Sequence, residues 1–138
     1  NILFERHSGT PVKILDLGAS GKTGSGTGLT SGQLTFTAPE RLAGDPLAPT
    51  ADLWACGAVL FFYLHGCHPF PDYPRDIDLR TGPITRGLKQ TPLDPLLTRL
   101  LSADPSARYQ SAGQALEALE ALTHTQTPLI NLPTRQSL

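Results

Sequence analysis

Gly18-Ala19-Ser20-Gly21-Lys22-Thr23 places a lysine behind two glycines and after the apolar run Val12 to Leu15. In a phosphate cradle, backbone N–H groups and such an ammonium neutralise phosphate oxygens. The arrangement fails here on two counts. The cradle needs four residues between its glycines, and only Ala19 and Ser20 intervene. Its lysine must also open a helix, whereas Gly24-Ser25-Gly26-Thr27-Gly28 follows, and each interior glycine costs about 1 kcal/mol against alanine. A dinucleotide site fails as well, because neither Gly24/Gly26 nor Gly26/Gly28 has a glycine three residues on. The remaining chemistry-bearing residues lie in short motifs: Asp16-Leu17-Gly18, Ala38-Pro39-Glu40, Asp52-Leu53-Trp54-Ala55-Cys56-Gly57 and Asp104-Pro105-Ser106-Ala107-Arg108. Each alone is weak, and Asp-x-Gly by itself reads as a strand-end turn. His7, His65, His68 and His124 stand in no nucleophile or metal constellation, so solvated or core roles are expected. Cys56 and Cys67 have no metal-ligand spacing and read as buried free thiols.

The elements that must position these motifs are legible in outline. A chain of 138 residues suffices for one core. A formal charge of −1 gives no electrostatic case for nucleic acid or an anionic membrane. No apolar stretch reaches the roughly 20 residues of a membrane span, and no signal peptide is present. Ile2-Leu3-Phe4 and Val12-Lys13-Ile14-Leu15, joined through His7-Ser8-Gly9-Thr10-Pro11, predict a β-hairpin. From Gly18 to Gly32 the Gly/Ser/Thr composition predicts a loop. Thr50 is a candidate N-cap with Asp52 in the first turn behind it, and the helix ends at Gly66. Its run from Leu53 to Leu64 is apolar nearly all round, which predicts burial on all sides. Residues 66–92 carry turn signals rather than periodicity. Asp94 to Leu101 predicts a helix with Leu96, Leu97, Leu100 and Leu101 on one face. Ser111 with Gln114 makes a capping-box pair ahead of Ala115 to Leu122, and a polar linker follows Thr123.

In their order and spacing, the four motifs resemble the C-terminal lobe of a eukaryotic-like (Hanks-type) Ser/Thr protein kinase, with Asp-Leu-Gly in the place of Asp-Phe-Gly. The resemblance implies an α+β fold: a mostly helical lobe with a short β-hairpin at the nucleotide face. It covers residues 1–122 as a partial kinase domain and leaves 123–138 as a tail or linker. ATP and Mg2+ are the cofactors it implies, with Asn1 and Asp16 as metal ligands, Asp16 also at the nucleotide, and Leu3 beneath the adenine ring. The chemistry suits those residue types, because a hard cation takes carboxylate and amide oxygens. For Leu3, plain core packing is the alternative. Gly18, Glu40, Asp52, Trp54, Gly57 and Arg108 take structural roles in the resemblance. Glu40 pairs with a buried Arg108, and Asp52 opens the central helix and braces the catalytic loop. Thr23, Ser25, Thr27, Thr30 and Ser31 fall in the activation loop, where phosphorylation orders many kinases.

Two departures accompany the match. Leu17 replaces Phe but stays apolar. Gly32-Gln33 stands where family members carry Gly-Thr, whose hydroxyl bonds the catalytic Asp. By resemblance that proton-accepting Asp precedes Asn1, together with the Gly-rich loop and the phosphate-binding Lys. These residues alone are therefore expected to be inactive, and their partners are a protein substrate and the N-terminal lobe of the same polypeptide. The expected location is cytoplasmic, unless an anchor lies elsewhere in the polypeptide. The alternative is a pseudokinase or remnant serving as a non-catalytic scaffold.

Overall fold

Two short, largely apolar runs pair as a ribbon in the computed structural model. β1 (Ile2–Phe4) and β2 (Val12–Ile14) run antiparallel, with Ile2 opposite Ile14, Leu3 opposite Lys13 and Phe4 opposite Val12. That register brings the start of β1 and the end of β2 to the same end of the ribbon. The structure describes residues 2–4, 12–15, 31–70, 73, 74, 83 and 90–124. Thr23, Ser25, Thr27 and Thr30, with Asn1, Asp16 and Gly18, lie outside them.

After the ribbon come a 3-10 segment (Ser31–Phe36), a short α1 (Pro39–Leu42), α2 (Pro49–His65), α3 (Asp94–Leu100), a 3-10 turn (Pro105–Ala107) and α4 (Ala112–His124). The fold is α+β and mostly helical, with one two-stranded sheet among the described residues.

The start of α2 differs from the Thr50 expectation. Ala48 is the N-cap without a side-chain bond, and Pro49 is the first helical residue. Proline's fixed φ and missing N–H suit that position, so the helix begins without a hydroxyl cap. Thr50 is buried within the first turn instead. Gly66 ends the helix in the left-handed region, at φ 71°, and its N–H donates to the Phe62 carbonyl at 2.8 Å.

Burial of α2 on all sides does not hold. Ala51, Leu53, Trp54, Gly57, Ala58 and Phe61 recur at helical spacing and form its buried face. Asp52, Cys56, Phe62, Tyr63 and Leu64 are exposed, Tyr63 at 74%. The reason is geometric. Among the described residues, the helix packs against the 3-10 segment and α3. The buried-thiol expectation fails with it: both cysteines are free, but Cys56 is exposed and Cys67 half-buried.

The core has two parts. Trp54, Ala58, Phe61, Phe70, Tyr73, Leu97 and Leu101 lead one, and Leu53, Leu96, Leu100 and Tyr109 form the other, against which Leu119 and Leu122 of α4 pack. α2 crosses α3 closely at Gly57. A Cβ there would stand 2.8 Å from the Leu100 Cβ, nearer than two carbon atoms tolerate. At the start of α4, Ser111 Oγ accepts from the Gln114 N–H at 3.2 Å. The return bond is displaced by one residue, with Gln114 Oε1 accepting from the Gln110 N–H at 2.9 Å.

Candidate functional site

Arg108 is the most enclosed charge in the described structure, with 0% exposure. The turn before it is built locally. Asp104 accepts from the Ser106 N–H at 2.8 Å and from the Ser106 hydroxyl at 2.7 Å, and these bonds, the hydroxyl's first, hold its carboxyl below the ordinary range. Pro105 then fixes the first residue of the 3-10 turn, and Arg108 closes it. The guanidinium reaches Glu40, at the start of α1, through Nη1 to Oε1 at 2.7 Å and Nη2 to Oε2 at 2.9 Å. Its remaining donors meet the carbonyls of Ser102 at 2.8 Å, Thr50 at 3.0 Å and Ala103 at 3.4 Å. All five N–H groups of an arginine can be used in such an environment, which offsets the desolvation of a buried ion. The result ties three places together: α1, the first turn of α2, and the turn ahead of α4.

Trp54 lies 0% exposed at the centre of an aromatic group. Its ring stacks on Phe70 at 6.1 Å and meets the Tyr73 ring at 5.1 Å with a 32° tilt. Among the described residues the indole N–H has no hydrogen-bond partner. An unpaired buried donor costs about 1–3 kcal/mol, whereas burying an indole of roughly 200 Å² contributes about 5 kcal/mol. Burial wins.

The residues singled out in the sequence are distributed as follows. Glu40 and Arg108 meet directly. Trp54 and Gly57 are buried on the inner face of α2, and Asp52 is exposed in its first turn. Although Cys56 is exposed as a residue, its thiol is partly buried, and that burial, with the Asp52 carboxylate one turn before it as the smaller effect, pushes the thiol up. Leu3 on β1 is 41% exposed among the described residues. Ser31 opens the first 3-10 segment.

Sequence reasoning missed His68 and Tyr73. His68 Nε2 lies 2.8 Å from the Thr35 carbonyl, and its Nδ1 lies 2.8 Å from the Phe70 carbonyl oxygen and 3.1 Å from the Phe70 nitrogen. The Tyr73 hydroxyl donates to the Thr37 carbonyl. Burial, followed by the negative charge of Glu40, pushes the Tyr73 hydroxyl well above its ordinary range, against a smaller opposing effect of Arg108. Tyrosine therefore stays a donor there. Nothing local in Gly66-Cys67-His68-Pro69-Phe70 signals either bond, since their acceptors lie 33 and 36 residues away.

Among the described residues no cluster of three or more His, Cys, Asp or Glu could hold a metal ion. No described helix is long and apolar enough to cross a membrane.

The protein kinase domain family model matches residues 1–120. Over 78% of its length the chain is 33% identical to an SNF1-related protein kinase catalytic subunit alpha (KIN12) of Arabidopsis thaliana and 35% identical to a human SNF-related serine/threonine-protein kinase. It is 32% identical to the serine/threonine-protein kinase PknF of Mycobacterium tuberculosis, again over 78%. The chain spans 23%, 15% and 25% of these relatives. Among solved structures, the PK-1 kinase of Cydia pomonella granulovirus superposes with a TM-score of 0.67 at 18% identity, over 85% of this chain and 46% of that one. The kinase region of C. elegans twitchin superposes with a TM-score of 0.63 at 25% identity, over 78% and 21%. The chain belongs to the protein kinase domain family. Members of that family generally use ATP and Mg2+.

Proposed function

We propose that this chain is part of a kinase that transfers the γ-phosphoryl of ATP to Ser or Thr hydroxyls of protein substrates. The observation that carries the reading is the bidentate pair of Glu40 with Arg108. It anchors Ala38-Pro39-Glu40 to the body of the lobe, and hence the end of the segment against which a protein substrate would lie. The ribbon supports the nucleotide half of the reading. In the sequence Asn1 precedes Ile2 by one residue and Asp16 follows Ile14 by two, and the register sets Ile2 opposite Ile14. An amide and a carboxylate oxygen form a donor set suited to Mg2+, which when bound neutralises charge on the transferring phosphoryl. Leu3, exposed beside that end, is available to an adenine ring. Asp52 would brace the backbone of the catalytic loop. None of these 138 residues is assigned the proton acceptor, and these residues alone are proposed not to turn over.

Residues 1–122 would form the kinase part, with 123–138 as a tail. Thr23, Ser25, Thr27, Thr30 and Ser31 are the candidate phosphorylation sites. Two free cysteines and dependence on ATP support a cytoplasmic location.

Gln33, standing where family members carry Thr, favours a second reading: a pseudokinase acting as a binding scaffold. Magnesium-dependent ATP binding by the full-length protein separates the two. Binding that disappears with EDTA is expected of the kinase, and no nucleotide binding is expected of the scaffold.

A further inference from the structure

The stretch Leu34 to Thr37 leads directly into Ala38-Pro39-Glu40, and two side chains from beyond α2 hold it. Carbonyls at the C-terminal end of a 3-10 segment run out of backbone donors and need others. His68 and Tyr73 supply them to Thr35 and Thr37 respectively. A carbonyl oxygen only accepts, so Nε2 of His68 must carry a hydrogen. Nδ1 faces both the Phe70 N–H at 3.1 Å and the Phe70 carbonyl at 2.8 Å, so it does not fix the tautomer, and the Nε2–H rests on the Thr35 carbonyl.

The two grips are built as one unit. The imidazole stacks on the Tyr73 ring at 4.9 Å with 22° between planes, and touches Phe36, Trp54 and Phe70 at centroid distances of 5.8, 6.4 and 6.3 Å. Trp54, itself immobilised in the core, is thereby coupled to the backbone of residues 35–37. Phe36 also meets Phe62 in a T-shaped contact at 6.0 Å.

We propose that His68 is a positioning residue, whose Nε2–H fixes the Thr35 carbonyl and so sets the stretch ahead of Ala38-Pro39-Glu40 for a protein substrate. The inference rests on the kinase reading for its substrate and on geometry alone for its clamp. His68 makes no contact with reacting groups in this account.

The test uses the full-length protein with three forms: wild type, His68→Phe, which keeps a flat ring without donors, and His68→Gln, whose amide N–H can take the place of Nε2–H. Amide hydrogen exchange across residues 34–37 reports the clamp without any need for turnover. Exchange is expected to quicken about three- to tenfold in His68→Phe, the ratio that one hydrogen bond sustains, and to return toward wild type in His68→Gln. With casein as acceptor, KM for casein is expected to rise by a similar factor in His68→Phe, with KM for ATP and kcat unchanged. Unaltered exchange in His68→Phe overturns the clamp, and quickened exchange without a change in KM for casein overturns the positioning role. Wild type without phosphotransfer would sink the kinase reading and the substrate role, while exchange still decides the clamp. Should His68→Phe fail to fold, the imidazole 15N shifts of wild type decide: a hydrogen on Nε2 supports the proposal, and a bare Nε2 overturns it.

Discussion

Arg108 and Glu40, 68 residues apart in the chain, meet through two parallel N–H···O bonds of 2.7 and 2.9 Å. The arginine is wholly buried and the glutamate side chain is 10% exposed. Charge alone would not justify that placement, since desolvating two ions can outweigh their attraction. The carbonyls of Ser102, Thr50 and Ala103 complete the guanidinium's coordination and make the site specific for arginine.

Arg108→Ala is therefore expected to leave a carboxylate and three carbonyls without their donor, at a cost of about 3–5 kcal/mol. Thermal denaturation should show Tm lowered by roughly 10 °C or more. Arg108→Lys keeps the charge but not the fork, and should recover only part of the loss. An unchanged Tm in Arg108→Ala would refute the role given to this pair.

Gly57→Ala sets two effects against each other. Alanine favours the helix by about 1 kcal/mol. The new methyl, however, would sit 2.8 Å from the Leu100 Cβ, and overpacking costs about 1–3 kcal/mol. The clash is with another helix's Cβ rather than a flexible tip, so net destabilisation is expected, read as a lower denaturant midpoint. Gly57→Val should lower it further.

Tyr73 makes stability depend on alkaline pH. Its hydroxyl titrates higher in the folded protein than in the unfolded chain, chiefly because it is buried. The contribution is then fully present below the unfolded pKa of about 10 and is lost as pH rises above it, when the unfolded chain releases the proton and the folded one does not. Tyr73→Phe should be less stable than wild type at neutral pH by about 1 kcal/mol, the worth of one hydrogen bond. The gap should narrow as pH climbs past about 10. A gap constant with pH would contradict the placement of this hydroxyl.

Local signals made much of the fold readable. The paired apolar runs around His7 to Pro11, the stop at Gly66, the leucine face of Asp94 to Leu101 and the Ser111/Gln114 pair each depend on residues close in sequence. What escaped depends on the third dimension. The outer face of α2 carries Phe62 and Tyr63, as apolar as the inner one, so composition could not tell which side would be covered. Pro49 began that helix where a hydroxyl cap at Thr50 was the expectation. His68 and Tyr73 grip carbonyls of residues 35 and 37, and a carbonyl acceptor leaves no mark on the sequence because every residue has one. Arg108 and Glu40 were paired only through the order of whole motifs, never through local chemistry.

Phosphotransfer by the full-length protein tests the central claim most directly. With Mg2+ and γ-labelled ATP, wild type is expected to label Ser or Thr of casein, and EDTA is expected to abolish the signal. Asp16→Asn, which removes the carboxylate proposed to hold the metal, should lower kcat by at least about a hundredfold, given the several kcal/mol such a metal supplies in the transition state. A folded, full-length wild type that labels nothing, or an Asp16→Asn variant as active as wild type, would contradict the account.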